Sequence, residues 1–207
     1  NYNLTTGTFD ISQKWVSVGG QKIYDATTTV SSSDLNVTGE VTGESISITG
    51  TGSVTDKNVG SGKTINISGL SLSDGSHSAS NYTIGTTSFA ITPRNLTISG
   101  EKVYDGTGTV LASQIDTVNT AGGETLTISG EGSVSLPSVG TNKSITLNTL
   151  GISDGTNGTI GLASNYTLDS GSFDITTKPI TISGSRQYDG TTDAASSDLT
   201  LIGQVSG

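Results

Sequence analysis

The chain has 207 residues, a formal net charge of -9, one histidine, and no cysteine or methionine. Apolar residues make up 30% of it, aromatics 5%, and glycine contributes 29 residues. These figures exclude a disulfide scaffold and any thiol-based metal or nucleophile site. They also lack the basic footprint of a nucleic-acid binder, and no apolar run is long enough to span a bilayer as a helix.

Self-similarity organises the rest. Lys22-Ile23-Tyr24-Asp25-Ala26-Thr27 matches Lys102-Val103-Tyr104-Asp105-Gly106-Thr107 and Arg186-Gln187-Tyr188-Asp189-Gly190-Thr191. Asn1-Tyr2 matches Asn81-Tyr82 and Asn165-Tyr166, and each Tyr leads to a Phe seven residues on: Phe9, Phe89 and Phe173. The period is 80 residues from Tyr24 to Tyr104 and 84 from Tyr104 to Tyr188. Ser73-Asp74-Gly75 still matches Ser153-Asp154-Gly155 at 80, so the four extra residues fall between Gly155 and Asn165, in a stretch of turn composition. Surface loops absorb insertions at small entropic cost. A period this long predicts separate beads, each with its own core, rather than a continuous solenoid.

In chain order, residues 1–14 read as the end of a preceding repeat, 15–93 and 94–178 as full repeats, and 179–207 as the start of another. No charged segment followed by an apolar one opens the chain, so any export signal is expected outside it. Val16-Ser17-Val18 alternates as a first strand, and Asp25 begins a turn. Ser31–Leu35 has room for a helical turn at most. Ser45–Thr49 and Thr64–Ser68 alternate again, Asp74-Gly75 signals a turn, and Tyr82 to Phe89 leads to the last strand. The second repeat follows the same plan: Leu96-Thr97-Ile98, the Asp105-Gly106 turn, Ala112–Ile115 as a short turn, Thr125–Ser129, Ser144–Asn148, Asp154-Gly155, then Tyr166 to Phe173. Ile180-Thr181-Ile182 and Asp189-Gly190 open a third copy. Two of the three prolines, Pro93 and Pro179, sit at the junctions, where a fixed φ stiffens the link.

A period of two predicts strands with one face buried, and the pattern predicts antiparallel pairing. The expected fold is all-β: tandem small antiparallel modules of about six to eight strands, an Ig-like sandwich or, as the alternative, a β-grasp-like unit, strung into an elongated rod. The nine Tyr and Phe all fall in three recurring slots. Tyr24, Tyr82, Phe89, Tyr104, Tyr166, Phe173 and Tyr188 are therefore expected to be structural. A fully buried ring contributes about 1.5–3 kcal/mol.

Other residues were weighed for chemistry. Asp25, Asp105 and Asp189, with Gly106 and Gly190, read as turn formers, a ligand contact being the alternative. Asp74 and Asp154 are the calcium candidates, with Asp56, Asp25 and Asp105 as further oxygen donors, but none stands in a calcium-loop pattern. No other cofactor is expected. His77 has no counterpart in the next repeat, so a Ser-His-Asp triad would rest on one loop residue. Glu40, Glu44 and Glu124 sit in polar turn contexts, which argues against a carboxylate pair for glycoside cleavage. Lys63 and Lys143 recur in position for a Lys–Asn crosslink, with no further sign of one. Sequons occur at Asn3, Asn36, Asn66, Asn81, Asn95, Asn142, Asn157 and Asn165. Trp15 stands outside the aromatic slots and is the ligand candidate.

Taken together, Lys/Arg-x-Tyr-Asp-Gly-Thr, Val-Gly-x-x-Lys (Val59-Gly60 with Lys63, Val139-Gly140 with Lys143), Ser-Asn-Tyr and a closing Ile-Thr-x-Lys/Arg resemble the YDG-type repeats. These occur with the similar MBG repeats in large bacterial surface proteins, many of them filamentous-haemagglutinin-like adhesins exported by two-partner secretion. Ala26 departs from the motif, which has Gly there. The resemblance implies a secreted or cell-surface location, a stalk role with neighbouring repeats of the same chain as partners, and no catalytic residues. The expected function is a non-catalytic structural segment of a surface-displayed adhesin, projecting a distal binding region. The alternative is that the modules bind host or matrix glycans, or self-associate in biofilm or fibre formation. No enzyme activity, nucleic acid or membrane insertion is expected of these residues.

Overall fold

The computed structural model describes residues 1–205. Residues 1–13 form no strand and are exposed. The first repeat then builds seven strands: β1 (Lys14–Ile23), β2 (Thr29–Ser31), β3 (Leu35–Thr38), β4 (Ile46–Ser53), β5 (Gly60–Lys63), β6 (Leu70–Asp74) and β7 (Tyr82–Thr92). A four-stranded sheet runs β3-β1-β7-β5, and a three-stranded sheet runs β2-β4-β6. Single 3-10 turns occupy Ser32–Asp34 and Ala79–Asn81, the first at the site read as a short turn.

The second repeat follows with β8 (Arg94–Val103), β9 (Thr109–Leu111), β10 (Ile115–Thr117), β11 (Glu124–Ser129), β12 (Glu131–Ser133), β13 (Gly140–Ser144), β14 (Gly151–Asp154), β15 (Thr159–Ile160) and β16 (Tyr166–Thr176). Its four-stranded sheet has the matching order β10-β8-β16-β13. A final hairpin pairs β17 (Thr181–Gly184) with β18 (Leu199–Ile202). The all-β, repeated architecture is the one the sequence predicts.

Three details differ from the reading. The expectation of antiparallel pairing is corrected at the centre of the sheet, where β1 runs parallel to β7 from Lys14↔Tyr82 to Ile23↔Thr92. The first and last strands of the repeat thus lie side by side in parallel. Alternation reports which face is buried, not which way the neighbour runs. Second, Thr64–Ser68 contributes only a single bridge, Ser53↔Asn66, and beyond Ser144, the end of β13, the matching stretch contributes only Ser133↔Thr146. The backbone turns at once: Leu70 N–H donates to Ile67 C=O, and Asn66 Oδ1 accepts from Ser68 N–H. Third, the four-residue insertion is not wholly loop. It holds β15, which pairs parallel with β11 at Glu124↔Thr159 and Thr125↔Ile160.

The chain divides into two compact units. One comprises Asn1–Arg94 with Ser164–Tyr166, the other Asn95–Ala163 with Thr167–Gly207. In the first, Val16, Val18, Val30, Ile46, Ile48, Val54, Ile65, Leu70, Tyr82, Phe89 and Ile91 are buried. In the second, Ile98, Val110, Ile115, Val134, Ile145, Leu150, Phe173 and Ile175 form one cluster, with Tyr104 packed against it. Tyr24 and Tyr166 are also buried. The rings of the two complete repeats therefore face inward or lie at the core margin. Tyr2, Phe9 and Tyr188, the copies in the flanking segments, are exposed.

Candidate functional site

The recurring motif builds one local structure. Along β1 the buried positions are Val16, Val18 and Lys22, so the strand alternation points an ammonium inward. Such a charge is tolerated only when fully paired. Lys22 Nζ meets Asp25 Oδ1 at 2.8 Å, Thr27 Oγ1 at 3.0 Å, Thr27 C=O at 3.1 Å and Thr29 C=O at 2.6 Å. Asp25 Oδ1 in turn accepts Thr27 N–H and Oγ1–H, both at 2.9 Å. The second repeat copies this set: Lys102 Nζ lies 3.1 Å from Asp105 Oδ2, 3.0 Å from Thr107 Oγ1 and 2.7 Å from Thr109 C=O. In the third copy Arg186 pairs with Asp189 and donates to Thr191 C=O and Oγ1 at 2.7 and 3.1 Å.

Lys22, Lys102 and Arg186 were quoted in the motif but given no role. The signal was available: Lys22 and Lys102 are cations on the buried parity of β1 and β8, and Arg186 keeps the same spacing, two residues before the Tyr. The backbone N–H of Thr107, then the Lys102 ammonium, hold the Asp105 carboxyl down to about 2. Burial pushes Asp25 up, but hydrogen bonds from Lys22 and Thr27 outweigh it and its pKa lies below the ordinary value. For Asp189 the Arg186 guanidinium is the main cause of the same lowering. Gly106 and Gly190 take φ of 84° and 83°, and Ala26 takes 64° in the same turn. The departure from glycine thus leaves the turn geometry unchanged.

The remaining residues fall as follows. Asp74 Oδ1 accepts Ala79 N–H and Asp154 Oδ1 accepts Ala163 N–H, each at 2.7 Å, so both begin the 3-10 turn that precedes the last strand. Among the described residues no group of three or more His, Cys, Asp or Glu is placed to hold a metal ion. His77 is exposed, with Nδ1 2.9 Å from Ser76 Oγ. Lys63 pairs with Asp56 at 3.1 Å. The expectation that all three glutamates lie in polar turns is corrected for Glu124, which is buried. Glu44 accepts the Tyr82 hydroxyl proton, and that hydroxyl accepts Val41 N–H at 3.1 Å. The carboxylate raises the Tyr82 pKa.

Trp15 is 72% exposed. Its indole lies over Gly85, the extra residue where β7 bulges between Ile84, opposite Val16, and Thr86, opposite Ser17. A Cβ at position 85 would come within 2.7 Å of the ring. The second repeat has Asn95 and Asp169 at these positions, so the pairing belongs to the first repeat.

A cavity of about 460 Å³ lies in the second unit beside Tyr104, lined also by Gly106, Val139, Lys178, Ile180 and Val205. No helix among the described residues is long and apolar enough to cross a membrane.

Fold and motif geometry together define a tandem-repeat protein of small mixed β modules, each closed by a cation–Asp–Thr cluster. The chain belongs to the YDG domain family, whose model matches residues 12–89 and again 92–173. No curated protein and no solved structure matches it.

Proposed function

We propose that the chain is a non-catalytic stalk segment of a large secreted or surface-displayed bacterial adhesin, exported by two-partner secretion and holding a distal binding region away from the cell. The observation that carries this is the direction of the motif. In each full repeat the Lys, Asp and Thr spend their hydrogen bonds on the repeat's own backbone. A motif turned inward serves the module. Its recurrence then multiplies length rather than binding sites. Closure by ion pairs and hydrogen bonds needs no disulfide or metal, which suits folding after export. The Ser- and Thr-rich wet faces and net negative charge favour a soluble rod. Small-angle scattering tests the reading: an elongated particle with separate lobes is expected, and a single globule would refute it.

The exposed Trp15 ring supports a second reading, in which the first repeat binds a glycan or matrix polysaccharide through that face. Binding on a glycan array that is lost in Trp15→Ala would favour it over the stalk.

A further inference from the structure

A chain under tension loads each repeat where the backbone enters it and where it leaves. The first repeat is entered at Lys14, the start of β1, and left at Thr92, the end of β7. These strands lie side by side and parallel, with ten partner pairs from Lys14↔Tyr82 to Ile23↔Thr92. Tension therefore draws them in opposite directions along their common axis. All the hydrogen bonds between them are strained together and share the load. Were the two strands antiparallel, entry and exit would lie at one end, and the bonds would open one after another.

Three observations suit this pairing to resist sliding. First, β1 and β7, of 10 and 11 residues, are the longest strands of the repeat and form the middle of the sheet β3-β1-β7-β5. Strands β3 and β5 shield part of their length from water. Second, the register is pinned. Val16 and Val18 on β1 and Phe89 and Ile91 on β7 are buried, so a slip of one residue would turn them outward. The bulge at Gly85, with the Trp15 indole over it, marks the same register again. Third, the exit end is tied down. Tyr24 N–H donates to Thr92 C=O at 2.9 Å, and Thr92 Oγ1 donates to Lys22 C=O at 3.2 Å. Both bonds recur in the second repeat, from Tyr104 N–H to Thr176 C=O at 2.9 Å and from Thr176 Oγ1 to Lys102 C=O at 3.2 Å.

We infer that β1 and β7 form a shear clamp, copied by β8 and β16, which lets each repeat transmit tension along the chain without unfolding. The clamp itself follows from strand direction and register. Its use under tension rests on the stalk reading. Scattering tests the stalk and force tests the clamp, so either can fail alone.

Single-molecule force spectroscopy on the full chain is the experiment. The chain has no cysteine, so two introduced thiols fix the points of attachment. Lys14→Cys with Pro93→Cys loads β1 and β7 in shear. Lys14→Cys with Asn81→Cys pulls the same strands apart from one end. All three positions are exposed. At one loading rate the shear pair is expected to unfold at a force at least ~2-fold higher, because forced unfolding reads the unfolding barrier. Two buried valines locate that barrier: Val18 on β1 and Val30 on β2. Under shear, Val18→Ala should unfold at least ~5-fold faster than the native side chain, and Val30→Ala less than ~2-fold faster. Equal forces in the two pulling geometries would overturn the proposal. So would a Val30→Ala chain that gives way under shear as readily as Val18→Ala.

Discussion

Lys102 and Asp105 sit three residues apart and form an asymmetric pair. The lysine side chain is 3% exposed and the aspartate 48%, with Nζ and Oδ1 3.0 Å apart. The cation is the desolvated partner, and the carboxylate with the Thr107 and Thr109 oxygens is what makes its burial tolerable. Each repeat thus closes its first strand onto the following turn with one inward charge.

Removing that charge takes the ammonium from the half-exposed Asp105, which keeps only its Thr107 donors, and from the carbonyl of Thr109. Lys102→Met preserves the stem and its packing, so its loss is electrostatic. We expect destabilisation of about 2–3 kcal/mol, below the range for a pair buried on both sides because Asp105 retains water. Urea unfolding of the variant against the native chain measures it, with the transition of the second unit shifting.

The pH dependence follows from Asp105. Its carboxyl is held at about 2 when folded, below the ordinary 3.8. A lowered folded value means the stabilisation is complete above the unfolded pKa and is lost as pH falls from about 4 through about 2. Asp25 shifts in the same direction. Thermal melts should be flat above about pH 5 and fall below it. In Lys102→Met that fall should be shallower.

Ala26 holds φ of 64° where its counterparts are glycine. A Cβ in the left-handed region is unfavourable, and glycine's greater unfolded entropy offsets only part of the relief. Ala26→Gly is therefore expected to stabilise the first repeat by about 0.5–1 kcal/mol. The reverse change, Gly106→Ala, should cost more, since its new methyl would also meet Val205 Cγ1 at 2.7 Å. Differential scanning calorimetry of both variants checks the opposite signs.

Tyr82 links Glu44 to the backbone N–H of Val41. Tyr82→Phe keeps the ring in the core but removes both hydrogen bonds, and because Val41 and Glu44 can reach water the expected cost is about 0.5–1.5 kcal/mol by chemical denaturation. Spectrophotometric titration of the native chain should show one tyrosine ionising above the ordinary value. Glu44→Gln should bring it back toward that value.

Much of the module was legible in the residues. Alternating Ile, Val and Leu positions mark the strands, and the three aromatic slots mark the core, because burial on one face imposes a period of two wherever the strand lies. The parallel pairing of β1 with β7 left no such mark. Its partners are far apart in sequence, and the same alternation serves either direction. The structural use of Lys22 and Lys102 was half-visible: their parity along the strand was readable, but the four oxygens around each ammonium come from a turn whose path sequence alone does not give.

The roles of Asp74 and Asp154 divide in the same way. Recurrence before Gly marks a turn, while their hydrogen bonds to Ala79 and Ala163 depend on where the next segment returns. Sequence by itself determined the repeat, its period and its all-β character, since these rest on local spacing and side-chain type. Tertiary structure alone decided which strands are neighbours, which acceptors surround the buried cations, and that Tyr24 is covered where Tyr104 faces an open cavity. Those depend on distances between residues that the chain brings together only on folding.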